Sequence, residues 1–298
     1  EVKIEIFRVK VKNWQIGEHR SPFKGSGYEI HSINKRQPGQ PFTNIEWNMS
    51  LRTYPRKIYR IERIEPENAP TILVADISPS IFVEVDRQAS RFRLLLHLIG
   101  GLGFAANYFH DPVGVLAVAR EIEFYLRPKL GQGHLMYAVR LILEKAEEFG
   151  KNPNRPSPFS GGINSALGML LSTLHWQCSI VLLSDFSNEI NGESEIDFKT
   201  METLSSLHHW NVIAVFLDDP WEFAWQYGQG VVRIKNIETG LVEKIKASQA
   251  GKIREVFVKR REALREKLAQ TGVDSVVLSF GDHFDQLSQF LSERKTTR

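Results

Sequence analysis

Thr71-Ile72-Leu73-Val74-Ala75-Asp76-Ile77-Ser78-Pro79-Ser80 is the stretch whose reading decides the fold. Its apolar run is unbroken, too short for a helix and rich in β-branched residues, so it reads as a strand buried on both faces, as in parallel sheets. The run stops at Asp76. Ligands of open parallel sheets bind outside the carboxyl ends of the strands, which puts Asp76, Ser78 and Ser80 on a loop where sites form. The spacing aspartate-x-serine-x-serine lets a tight loop bring one carboxylate and two hydroxyls to a point. Oxygen-only ligands of this type suit Mg2+, Mn2+ or Ca2+ rather than zinc.

Beyond Ser80 the pattern alternates. A helix is expected over 87–109, with Gly100, Gly101 and Gly103 as close-packing points, then a strand over 113–119 with a hairpin partner at 122–126. A helix at 134–149 leads into a Pro/Asn loop at 151–159, and a short helix at 164–174 precedes a buried strand at 179–183 that ends on Ser184-Asp185. A helix at 198–208 and a buried strand at 212–217, ending on Asp218-Asp219, continue the series. This order predicts an α/β fold, a doubly wound and mostly parallel sheet over 71–298 with a C-terminal helical extension. Upstream, residues 1–14 alternate as a half-buried strand, 21–27 read as a loop, and 28–67 read as short β pieces broken by Pro38-Gly39 and Pro55. Residues 1–70 are thus expected to form a small β-rich N-terminal appendage.

Composition limits the function classes. With 42% hydrophobic and 24% charged residues, the 298-residue chain has the usage of a globular protein with ample core. The least charged stretch, 94–109, contains His97 and Asn107 and is shorter than the roughly 20 residues of a membrane span, so a core helix is expected and no membrane segment. Cys178 is the single cysteine, which excludes an intramolecular disulfide and fits a reducing, cytoplasmic setting. The net charge of +3 conceals an asymmetry: residues 1–70 carry 13 basic against 8 acidic side chains, residues 71–251 carry 15 against 20. The basic front either docks on the acidic middle or faces an acidic partner.

Three buried-strand candidates end in aspartate: at Asp76, at Asp185 and at Asp218-Asp219. Each aspartate alone is explained as a helix cap. Asp76, Ser78, Ser80 and Asp185 together point to one crevice at the strand ends. The histidines form no zinc spacing, and His208-His209 close a helix, where the dipole favours them. Neither a G-x-S-x-G elbow nor a complete phosphate-binding loop is present; Gly25-Ser26-Gly27 lacks the third glycine and the lysine. The helix at 252–267 is basic, yet its apolar residues recur at three- and four-residue spacing and its charges are mixed, as on a solvated amphipathic face. The strip Arg52, Arg56, Lys57, Arg60, Arg63 lacks the aromatic interleaving that stacks bases, so no nucleic acid is expected.

The tract Gly25-Ser26-Gly27-Tyr28-Glu29, Pro38-Gly39, Ile45-Glu46-Trp47 and Ser50-Leu51-Arg52, with Glu62 and Glu65 ahead of the central strand, resembles the signature of domain of unknown function 58. The likeness extends to Asp218-Asp219-Pro220-Trp221-Glu222 and Glu238-Thr239-Gly240; Gln40 and Glu46 stand where that signature has aspartates. The resemblance implies a von Willebrand factor A-like domain with a metal-ion-dependent adhesion site, and a MoxR-type AAA+ ATPase as partner. By position it assigns Asp76, Ser78 and Ser80 to the first element of that site and Asp185 to the third. The second element departs: Ile163, in Ser160-Gly161-Gly162-Ile163-Asn164-Ser165, stands at the family's threonine and offers no ligand. Ser160, Asn164 and Ser165 are the oxygen-bearing neighbours left to substitute. The function implied is a non-enzymatic protein-binding module that holds Mg2+ or Mn2+ and meets an acidic side chain of its partner. The alternatives are metal-dependent phosphoester hydrolysis by the same carboxylates, or nucleic-acid binding by the basic N-terminal segment.

Overall fold

The computed structural model describes residues 20–25, 29–35, 45–52, 57–66, 70–82, 90–151, 162–174, 178–191, 196–207, 210–219, 231–235, 242–246 and 250–297. The strand expected over 1–14, the 151–159 loop beyond residue 151, Ser160, His208-His209 and most of the signature's loops lie outside them.

Residues 18–68 and 69–298 form two compact units. In the first, β1 (Arg20–Gly25), β2 (Glu29–Lys35) and β3 (Tyr59–Pro66) make an antiparallel sheet in the order β1-β3-β2. Most of the stretch read as a loop is strand β1, paired at Lys24↔Ile64 and Gly25↔Arg63. Its edge position tolerates a proline that a central strand would exclude. Trp47–Arg52, read as part of a β piece, is a short helix α1. Ser50 ties that helix to β3, its hydroxyl donating to the Glu46 carbonyl at 2.6 Å and accepting the Tyr59 N–H at 2.8 Å.

The second unit is α/β. Its six-stranded sheet runs β11-β8-β7-β4-β5-β6, with β4 (Thr71–Asp76), β5 (Val113–Val118), β7 (Ser179–Ser184), β8 (Asn211–Asp218) and β11 (Asp274–Ser279) parallel. β6 (Ile122–Lys129) returns antiparallel to β5 as the expected hairpin partner. The continuous apolar runs are explained by two-sided burial. Leu73, Ala75, Val115, Ala117, Val181, Leu183, Ile213 and Val215 pack on one face in a cluster with Leu94, Leu98, Leu135 and Leu287. These come from α2 (Arg91–Tyr108), α3 (Gln132–Lys151) and α8 (His283–Thr297). Ile72, Val74, Leu116, Ile180, Leu182, Val212 and Phe216 pack on the other with Ala166, Leu167, Leu170, Met201, Leu264 and Leu268. Those belong to α4 (Gly162–Thr173), α6 (Phe198–Glu202) and α7 (Ala250–Gln270); α5 (Ser187–Asn191) is a short turn after β7.

The helix expected over 198–208 is shorter: α6 gives way to a π turn, Thr203–Leu207. The C-terminal extension is not purely helical, because β11 adds a parallel strand beside β8. This strand is mostly half-buried, so it lacks the fully apolar run of the inner strands. The pair β9 (Val231–Lys235) and β10 (Val242–Lys246) forms a separate antiparallel ladder. On α7, Leu264 and Leu268 enter the core while Lys252, Arg254, Lys259 and Arg260 stay exposed, as an amphipathic helix requires.

Cys178 is fully buried and its thiol is pushed up to about 12 by desolvation, which suits a packing role and no nucleophilic one. At the far end of β11, Gly281 N–H donates to His283 Nδ1 at 3.3 Å, placing the His283 proton on Nε2, which faces His97 Nδ1 at 3.3 Å. Burial holds this imidazole down at about 4. The sequence separates the two histidines by 186 positions, so only the fold pairs them.

Candidate functional site

The strand order reverses around β4: the chain moves outward through β5 and β6, then returns to β7 on the other side of β4. Crevices at such reversals are where open α/β sheets bind ligands. Asp76 ends β4, and Ser184-Asp185 ends the adjacent β7, in register through Ala75↔Leu183.

The loop after β4 is tightly bonded. Asp76 Oδ1 accepts the Ser78 N–H at 2.8 Å, Ile77 N–H donates to the Val118 carbonyl at 2.7 Å, and Ser78 Oγ lies 3.0 Å from Ser80 Oγ. The other carboxylate oxygen, Asp76 Oδ2, accepts from Ser184 Oγ at 2.5 Å, and Ser184 Oγ accepts the Phe186 N–H at 2.9 Å. Ser184 therefore couples the two loops directly. Asp76, Ser78, Ser80 and Asp185 are all buried, and bonds through Ser184 and Arg91 join the loop bearing the first three to the loop bearing the fourth. Burial, with the nearby Asp185 charge second, raises the Asp76 carboxyl to about 6 despite the bonds from Ser184 and Ser78.

Asp185 is bonded differently. Its Oδ1 accepts the Ser187 N–H at 3.1 Å; its Oδ2 accepts Ser187 Oγ at 2.6 Å and Arg91 Nη1 at 3.1 Å. The ion pair is closed to water, the two side chains being 6% and 3% exposed. Arg91 Nη1 also reaches the Ser80 carbonyl at 3.4 Å. Arg91, Ser184 and Ser187 join the site without being marked by the sequence motif. Arg91 carried one signal: it is the first residue of α2, just after the N-cap Ser90, where the helix dipole disfavours a cation.

The second loop element is placed by Gly162. A Cβ there would stand 2.0 Å from the Ala119 carbonyl oxygen, so α4 closes on the end of β5 only with glycine at this position. Ile163 follows and is buried in the apolar layer with Val118 and Leu116. Asn164 Oδ1 accepts the Asp197 N–H at 2.9 Å, and Ser165 is exposed. Asp218 is taken by Arg261 at 2.8 Å. Among the described residues, no group of three or more His, Cys, Asp or Glu side chains is gathered as a metal centre. Among them, too, no helix is long and apolar enough to cross a membrane.

Asp76→Asn should raise stability. With the carboxyl pushed up to about 6 from 3.8, the folded chain binds more protons than the unfolded one between those values, and stability falls as pH rises through that window. The span corresponds to about 3 kcal/mol. The amide has no charge to desolvate but bonds Ser184 less well, so a gain of about 1–3 kcal/mol is expected at pH 8, vanishing near pH 4. Urea unfolding at both pH values checks this; an equal change at both would refute the charge explanation.

Among solved structures, an aerotolerance-related membrane protein from Bacteroides fragilis NCTC 9343 is similar at 12% identity and a TM-score of 0.44, over 77% of this chain and 100% of that one. An uncharacterized membrane spanning protein from Vibrio fischeri is similar at 14% identity and a TM-score of 0.22, over 75% of this chain and 97% of that one. No curated protein matches the sequence. Residues 32–267 match the family described as protein of unknown function DUF58, and the chain belongs to that family.

Proposed function

We propose that this chain is a non-enzymatic interaction module, a von Willebrand A-like domain that works in the cytoplasm as partner or adaptor of a MoxR-type AAA+ ATPase. The observation that carries the reading is the convergence of Asp76, Ser78, Ser80 and Asp185 at the strand-order reversal. The donor set suits a hard divalent cation, Mg2+ or Mn2+: two buried carboxylates and two buried hydroxyls stand at the ends of neighbouring strands. Asp76, Ser78 and Ser80 would hold the ion, with Asp185 behind them and no ligand from Ile163. Bound there, the ion supplies an open coordination position for an acidic side chain of the partner.

The chain's own residues do the rest. Ser184 and the Ser78 amide fix the orientation of Asp76, and before an ion enters, the buried Arg91–Asp185 pair fixes the loop opposite. Partner choice then depends on one carboxylate plus the surrounding surface. Leu130, Met136, Tyr137 and Leu143, exposed on α3 and just before it, are apolar surface of the kind that protein partners cover.

The test combines titration calorimetry of chelator-stripped protein against Mg2+ and Mn2+ with capture of a purified MoxR-type ATPase in Mn2+ and in chelator. Saturable binding and Mn2+-dependent capture are expected, both lost in Asp76→Asn although that variant folds. Capture of equal strength in chelator would refute the cation-mediated mechanism. Phosphoester hydrolysis is a second reading because a metal held by the buried carboxylates of Asp76 and Asp185 could activate a water. Turnover of generic phosphoesters with Mn2+, lost in Asp76→Asn, would favour it.

A further inference from the structure

We propose that Arg91 is the resident counter-ion of this site and competes with any divalent cation that enters it, guanidinium and metal being alternative partners of Asp185. The inference rests on the reading that the site takes a divalent cation.

The position of Arg91 is the first argument. A cation on the opening residue of an 18-residue helix works against the dipole, so α2 gains nothing from it locally. Its partner lies 94 positions away, on the loop after β7. The second argument is how Asp185 is held: the Ser187 hydroxyl and amide both bond it, leaving the carboxylate aimed at the guanidinium. The third is the contact from the same Nη1 to the Ser80 carbonyl. Through it one side chain clasps the loop bearing Ser78 and Ser80 to the loop bearing Asp185.

Charge then dictates exclusion. Among the described residues, Asp76 and Asp185 with Arg91 leave one formal negative charge in a site closed to water. A divalent ion added beside a fixed guanidinium would turn this into one positive charge, with two cations repelling at short range in a low dielectric. Entry of the ion therefore requires Arg91 to leave Asp185, which releases the clasp between the loops. Arg91 sets both the affinity of the site and the coupling of metal binding to loop position.

The experiment titrates Mn2+ and Mg2+ into chelator-stripped wild type, Arg91→Gln and Arg91→Lys at pH 7.5, with circular dichroism to establish folding and melting curves with and without Mn2+. Arg91→Gln should bind Mn2+ roughly tenfold or more tightly than wild type. Its melting temperature should also rise further on Mn2+ addition, as binding to the folded state requires. Arg91→Lys keeps a charge but loses the planar fork, so its affinity should fall between the two. If Arg91→Gln does not fold without metal, the lysine variant decides, and affinity equal to wild type refutes the competition. Binding by wild type with no gain in either variant overturns this proposal while the cation reading stands. Absence of binding in all three chains overturns both.

Discussion

Arg91→Gln is expected to lose about 3–5 kcal/mol of stability at pH 8, because removing one member of a buried ion pair strands the other. Here the stranding is double. Asp185 loses the guanidinium at 3.1 Å, and Asp76, already raised to about 6 by burial and by Asp185, is left facing an uncompensated like charge. The variant should answer by taking up a proton. A carboxyl raised above its unfolded value destabilises as pH rises through the folded value, so the deficit should shrink markedly when unfolding is measured at pH 5. A loss of the same size at both pH values would mean that Arg91 stabilises by packing rather than by charge. Equal stability of the two proteins would mean that the pair balances its own desolvation.

Phe186→Ala is the second large effect, with an expected loss of about 3–5 kcal/mol. Phe186 is fully buried, its ring 4.4 Å from that of Phe216 between centroids and tilted by 37°. Such pairs add about 0.5–1.5 kcal/mol to area burial. Its backbone sits at φ 51, a left-handed conformation that costs a non-glycine residue about 1–3 kcal/mol and persists only where the surroundings enforce it. The ring is that enforcement. It anchors the turn on which Asp185 and Ser187 meet, and its amide bonds Ser184 Oγ. The alanine variant should therefore lose both stability and the arrangement of Asp185. Phe186→Leu, which refills most of the volume, should recover over half of the stability lost. Denaturant unfolding of the two variants side by side tests this; equal losses would point to the backbone rather than the cavity.

These effects also explain what the sequence made legible. The inner strands β4, β7 and β8 could be read because both sheet faces are covered, so after a polar first residue every position along them is apolar until the terminal aspartate or serine. Asp76, Ser78, Ser80 and Asp185 followed from where those runs stop. β11 escaped because an edge strand buries less, and β1 because its Ser-Pro start and Gly25 have the composition of a turn. α1 escaped because six residues offer too little periodicity to show a helical face. Arg91 could not be assigned, since nothing local says which carboxylate 94 residues away it will meet. Local chemistry is written along the chain, whereas this ion pair is written by topology.

The same topology sets an order of events during synthesis. β4 occupies the middle of the sheet, but its neighbour β7 leaves the ribosome more than a hundred residues later, as the 108-residue separation of Asp76 and Ser184 shows. At typical elongation rates that interval is roughly 5 to 20 s. Through it the nascent chain carries a strand that is apolar from Ile72 to Ala75 and has an open edge, a configuration prone to pair with the wrong partner. Ribosome-bound chains that stop short of β7 should therefore depend on a chaperone for solubility, and that dependence should end once β7 has emerged.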